Sequence, residues 1–135
     1  MKQELNSKEA PGAIGPYSQA VSLPIRTKET EVPCGNLIFV SGQLPINATT
    51  GEMPEDIKGQ TNQSIENIKA ILKEAGATLD NVLKTTVYLA DMSLFGDMNE
   101  VYSQHFKAIY PARAAFAVKE LPKKALVEIE VVAYV

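Results

Sequence analysis

The chain has 135 residues, 45% apolar and 21% charged, and 13 Lys and Arg against 16 Asp and Glu give a formal net charge of −3. That length suits one globular domain whose core needs neither disulfide nor metal. A single cysteine, Cys34, excludes an intramolecular disulfide and a cysteine-based zinc site, and a single histidine, His105, excludes a two-histidine acid–base pair within one chain. The mild acidity argues against non-specific binding to nucleic acid or anionic membrane.

No run approaches the roughly 18 to 20 consecutive apolar residues of a membrane helix. Residues 1–9 form a polar segment without a secretory core, so a soluble, cytoplasmic protein is expected. No repeat or composition shift divides residues 1–135, which read as one domain.

After loop punctuation at 10–16, residues 17–23 predict a short strand, and the proline-bounded polar stretch 24–36 a long loop or protruding hairpin tip. Leu37-Ile38-Phe39-Val40, running into Ser41-Gly42-Gln43, suits a buried strand. Ile65, Ile68, Leu72 and Ala75 recur at helical spacing, with Pro54 placed for a first turn and Gly76 for a stop, so a helix is expected over 54–75. Residues 82–90 are rich in β-branched side chains and alternate as a strand. A second helix is expected after the capping candidate Ser93, with Met98, Val101, Tyr102, His105, Phe106 and Ile109 on one stripe, ending before Pro111. Residues 112–118 and 126–135 close the chain as strands. The order β, β, α, β, α, β, β predicts an α+β domain: a mixed sheet with two helices packed on one face.

The sequence has no phosphate-binding glycine loop, dinucleotide fingerprint, nucleophile elbow or metal-ligand cluster, so ATPase, dinucleotide-dependent and serine-hydrolase readings lack their signals. His105 falls on an apolar stripe and reads as a packing residue. Cys34 has no identifiable base partner, and Lys123-Lys124 reads as a solvated turn. Arg113 stands among alanines at a strand start, suited either to a bidentate grip on a carboxylate or phosphate, or to a strand-end salt bridge. Glu128 and Glu130 leave one face of the last strand, ~7 Å apart by strand rise, together with Leu126, Val132 and Tyr134. They are either half-buried at a cleft or subunit interface, or edge-strand charges that discourage aggregation. A glycosidase reading of this pair lacks sugar-binding aromatics such as tryptophan.

Ala10-Pro11-Gly12-Ala13-Ile14-Gly15-Pro16-Tyr17-Ser18-Gln19-Ala20, Phe39-Val40-Ser41-Gly42-Gln43, Lys84-Thr85-Thr86-Val87, Asn99 in its Asp97–Tyr102 context, Pro111-Ala112-Arg113-Ala114 and Leu121-Pro122 with Glu128-Ile129-Glu130 occur in this order. From Ala10 to Val135 the chain closely resembles the RidA/YjgF family. The resemblance implies a chorismate-mutase-like α+β fold, a homotrimer with clefts between subunits, and cofactor-free hydrolysis of the 2-enamine and 2-imino acids released by pyridoxal-phosphate-dependent dehydratases. It implies that Arg113 binds the substrate carboxylate, that Glu128 activates water, and that Tyr17, Ser41 and Asn99 line the pocket. Many members carry cysteine at Ala115, a position where the resemblance implies a backbone amide contact that alanine keeps. The stretch 24–34 is longer than the family's usual connection. The resemblance also brings two alternatives: single-stranded RNA cleavage, opposed by the net charge and the lone histidine, and a non-catalytic ligand-binding or chaperone-like trimer.

Overall fold

The computed structural model describes residues 1–26 and 34–135. Eight main elements follow in chain order: β1 (Gln3–Leu5), β2 (Ala20–Ile25), β3 (Gly35–Gln43), α1 (Ile57–Lys73), β4 (Val82–Leu89), α2 (Phe95–His105), β5 (Ala112–Ala117) and β6 (Val127–Tyr134). The strands form one mixed sheet in the spatial order β1-β2-β3-β6-β4-β5. Its pairs are antiparallel except β4 with β5, which α2 joins as a parallel crossover. The expected α+β architecture is therefore present. Among the described residues no helix is long and apolar enough to cross a membrane.

The core lies between one sheet face and the two helices. Ile38, Val40, Val87, Leu89, Val127, Ile129 and Val131 meet Ile65, Ile68, Ile71 and Leu72 of α1 and Met98 of α2. Along β6 every second side chain is buried while Glu128, Glu130 and Val132 are only half-buried, the two-residue period of a sheet covered on one side. Its other face leaves Leu23, Phe39, Phe116 and Tyr134 exposed.

Several boundaries differ from those expected. The polar start contributes β1, whose backbone pairs with β2 while Leu5 packs on the core; edge pairing of this kind leaves little hydrophobic signal. Tyr17 lies in the loop before β2. Pro24 and Ile25 belong to β2, opposite Asn36 and Gly35 of β3, so the hairpin consumes both ends of the stretch expected to be loop. Within 24–34, residues 27–33 lie outside the described residues. Helix α1 starts at Ile57, directly after Asp56, which takes over from Pro54 as the entry signal: the Asp56 carboxylate accepts from Gly59 N–H at 3.3 Å. Gly76, at φ +72°, supplies the expected stop. Asp91, not Ser93, caps the 3-10 turn that leads into α2, accepting from Ser93 N–H at 2.7 Å. Helix α2 ends at His105, and Ile109 is fully exposed rather than on the buried stripe.

Three buried carboxamides fix the loops around the sheet's end. Gln19 Oε1 accepts from Ser7 N–H at 2.7 Å, and its Nε2 lies within donating distance of the Ser7, Ala10 and Pro11 carbonyls, at 3.1, 3.2 and 2.7 Å. Asn67 on α1 donates to the Leu44 and Ile46 carbonyls at 3.0 and 2.9 Å. Gln60 ties Pro54 to Leu126, donating to one at 2.8 Å and accepting from the other at 2.8 Å. Gln19→Leu keeps the volume but strands these backbone partners. Each buried group left unsatisfied costs about 1–3 kcal/mol. We expect a lower melting temperature and loss of hydrogen-exchange protection at the Ser7 amide; unchanged protection there would contradict the clamp.

Candidate functional site

Register places the predicted site residues in two groups. Glu128 is opposite Tyr88 on β4, and Glu130 opposite Thr86, so both carboxylates stand on the uncovered face of the sheet. Arg113 is opposite Thr85, which is fully buried on the helix side, so the guanidinium stands on the other face. β6 is central, between β3 and β4, which rules out edge-strand charges as the reading of Glu128 and Glu130.

The Glu128 group is a cleft of about 300 Å³ where β3 ends. Tyr17 and Ser41 share it with Glu128, and Pro11, Ile14 and Ile46 give it apolar walls. Tyr17 is held by Ile14 N–H, which donates to its hydroxyl oxygen at 3.3 Å, and Ser41 by donation to the Ser18 carbonyl at 2.7 Å. The β3–β6 register breaks between Val40 and Gln43, a bulge of the kind that re-aims side chains. Gly42 sits in that break, and a Cβ there would collide with the Glu128 carboxylate. Glycine here leaves the Glu128 carboxylate its place, which any larger residue would make it give up, and Ser-Gly at a strand end was its only sequence signal. Burial first, and then the neighbouring Glu130 charge, push the Glu128 carboxyl above its ordinary value.

The Arg113 group is a second cleft, about 420 Å³, lined by Asn99, Tyr102, Tyr110 and Arg113. Arg113 Nη1 donates to Asn99 Oδ1 at 2.7 Å, and the guanidinium lies 4.6 Å from the Tyr102 ring centroid and 5.6 Å from that of Phe95. The Tyr102 hydroxyl is fixed by Thr85 at 2.9 Å inside the core. Tyr102 was readable from sequence only as a core residue, yet it is the platform for Arg113. Among the described residues Arg113 makes no salt bridge, so none of them supplies the strand-end ion pair. Its remaining donors suit a planar anion. Ala115, two residues along β5, is half-buried on the same side.

The other candidates lie elsewhere. His105 bonds Asn62 Oδ1 at 2.8 Å, outside both clefts, and burial lowers its proton affinity. Cys34 is an exposed free thiol, and Lys123 and Lys124 are exposed in left-handed backbone conformations. No group of three or more potential metal ligands occurs among the described residues.

Residues 7–135 match the family model described as Endoribonuclease L-PSP. The chain belongs to the endoribonuclease L-PSP family, that of the RidA and YjgF proteins. A RutC family protein of Pyrococcus abyssi is 51% identical over 134 residues, covering 98% of this chain and 97% of its own. TdcF of Escherichia coli, whose name proposes a reactive intermediate deaminase, is 41% identical, covering 98% of this chain and 97% of its own. The RidA structure from an Antarctic Psychrobacter superposes with a TM-score of 0.85 at 42% identity, covering 98% and 99% of the two chains. The L-PSP fold thus extends over essentially the whole chain.

The raised Glu128 carboxyl has a consequence for stability in this L-PSP domain. The folded chain keeps that proton at pH values where the unfolded chain has released it. Stability therefore falls as pH climbs from the ordinary glutamate value through the raised one, and stays lower above it. Glu128→Gln should melt higher than wild type near about pH 7 and lose that advantage below about pH 4. Equal melting temperatures across that range would contradict the burial argument.

Proposed function

We propose that this protein hydrolyses reactive 2-imino acids, and their enamine tautomers, to 2-oxo acids and ammonia, as a homotrimer in which Arg113 of one chain and Glu128 of its neighbour complete each site. The observation that carries this reading is the pairing of a guanidinium held over the Tyr102 ring, with no acidic partner among the described residues, with a half-buried, hard-to-ionise carboxylate on the opposite face of one sheet. One chain cannot close both on one small molecule, whereas a second copy seated on the uncovered face could bring them together. That face carries Leu23 at 46%, Phe39 at 45%, Phe116 at 45% and Tyr134 at 41% exposure, an apolar area suited to association. A solved structure of E. coli TdcF, 39% identical with a TM-score of 0.83, is described with bound serine, whose α-carboxylate is the group Arg113 would grip.

In the proposed mechanism the guanidinium holds the substrate carboxylate through two parallel hydrogen bonds, fixing the imine carbon over the neighbouring Glu128. Glu128 takes a proton from water as its oxygen adds to that carbon and passes it to the imine nitrogen, giving a neutral carbinolamine. It then takes the hydroxyl proton and delivers it to the amino nitrogen as the C=O bond forms and the C–N bond breaks, releasing ammonia and the 2-oxo acid. The sum is imine plus water to ketone plus ammonia, with no redox step. Tyr17 and Ser41 shape the pocket around the water, and Asn99 steadies Arg113.

The test adds the purified protein to a threonine dehydratase reaction and follows 2-oxobutyrate release. We expect acceleration by wild type. Arg113→Lys keeps the charge but not the planar two-bond grip or the stack on Tyr102, and a charged hydrogen bond contributes roughly 1.5–3 kcal/mol, so the rate should fall about 10- to 150-fold. Glu128→Gln should be severely impaired. No acceleration by wild type, with cleavage of single-stranded RNA instead, would replace this reading by the ribonuclease one.

A further inference from the structure

Beyond the two residues assigned to the chemistry, the uncovered face holds a second carboxylate in an ordered arrangement. Glu130 follows Glu128 by two residues on β6, and the Tyr88 hydroxyl donates to Glu130 Oε1 at 3.1 Å. Tyr88 is itself the cross-strand partner of Glu128, so its side chain spans diagonally from one glutamate to the other. An edge-to-face contact with Phe116 on β5, 5.6 Å between centroids at 88°, fixes the ring.

Within one chain the other elements around Glu128 supply little charge, and in the proposed assembly the cation facing it is the neighbouring chain's Arg113, across the substrate. β3 offers Ser41, Gly42 and Gln43, the N-terminal loop offers Tyr17, and the turn at Pro122 leads to Lys123 and Lys124, both exposed. The one neighbouring carboxylate that acts on it is Glu130.

We propose that Tyr88 and Glu130 are positioning residues for Glu128: the Tyr88 hydroxyl anchors the Glu130 carboxyl in a fixed place on the uncovered face, two residues along β6 from Glu128. This rests on the reading of Glu128 as the group that takes and returns the proton. A carboxylate serving both steps needs more proton affinity than an exposed glutamate has; burial supplies most of this, and the like charge beside it adds to it without an added polar contact to Glu128 itself. Burial and the two carboxylates push the Tyr88 hydroxyl above its ordinary value, so it remains a donor.

The test is a ¹³C titration of glutamate carboxyls in the full-length protein, with the Glu128 signal assigned by its loss in Glu128→Gln. In Glu130→Gln the Glu128 midpoint should shift down. In Tyr88→Phe, which frees the Glu130 carboxyl from its anchor, the Glu128 midpoint should move by less than in Glu130→Gln. The acidic limb of the deaminase pH profile should follow the Glu128 midpoint. A Glu128 midpoint that stays in place in Glu130→Gln, while Glu128→Gln is inactive, would overturn the coupling and leave the catalytic reading intact. Activity retained in Glu128→Gln alongside a shifted midpoint would instead remove the catalytic reading and leave the coupling standing.

Discussion

Successive side chains of a β-strand leave opposite faces of the sheet, and in this molecule helices cover only one of those faces. Much of the structure follows from that constraint. The covered face holds the core, and Arg113, on the edge strand, leans from that side onto the rings of α2. The uncovered face holds Glu128, Glu130 and Tyr88 among half-exposed apolar groups. On the proposed reading the same geometry that separates the two functional side chains within a chain is what makes association a condition of activity.

The functional end of the sheet is held by polar groups rather than by packing alone. Gln19, Asn67 and Gln60 are all buried, and each spends its amide on backbone that would otherwise be free to move: the 7–11 segment, the 44–46 loop and the entry to β6. Satisfied in this way, buried amides specify one loop geometry, which an apolar contact does not. Glu128 sits within that frame against the bare backbone of Gly42. A half-buried carboxylate destabilises the fold at neutral pH, a cost that its proposed catalytic role explains.

The periods of two and 3.6 residues made the central strands and both helices legible in the sequence, because Val127, Ile129 and Val131, or Ile65, Ile68 and Leu72, must all face one core. Periodicity carries no information on sheet order, so the central place of β6 was not readable, and with it the fate of Glu128 and Glu130. It also failed where backbone alone decides: β1 forms by edge pairing, α2 stops at His105 although Ile109 continues the stripe, and Asp91 outcompetes Ser93 as a cap. For the site, family resemblance pointed to Arg113, Glu128, Tyr17, Ser41, Asn99 and Ala115; the structure puts Glu128, Tyr17 and Ser41 in one cleft and Arg113 and Asn99 in the other, with Ala115 further along β5. Residue chemistry alone left Arg113 and the glutamates undecided. Tyr102 and Gly42 were hidden because one looks like core and the other like a turn.

The central claim, that each site draws Arg113 and Glu128 from different chains, is tested most directly by mixing two inactive variants. Arg113→Ala and Glu128→Gln chains, unfolded together and refolded, should recover deaminase activity that neither variant shows alone. With random assembly about one site in four would unite an intact arginine from one chain with an intact glutamate from its neighbour, so recovery should approach about a quarter of the wild-type rate. Mixed assemblies that form yet remain as inactive as the separate variants would contradict the shared site.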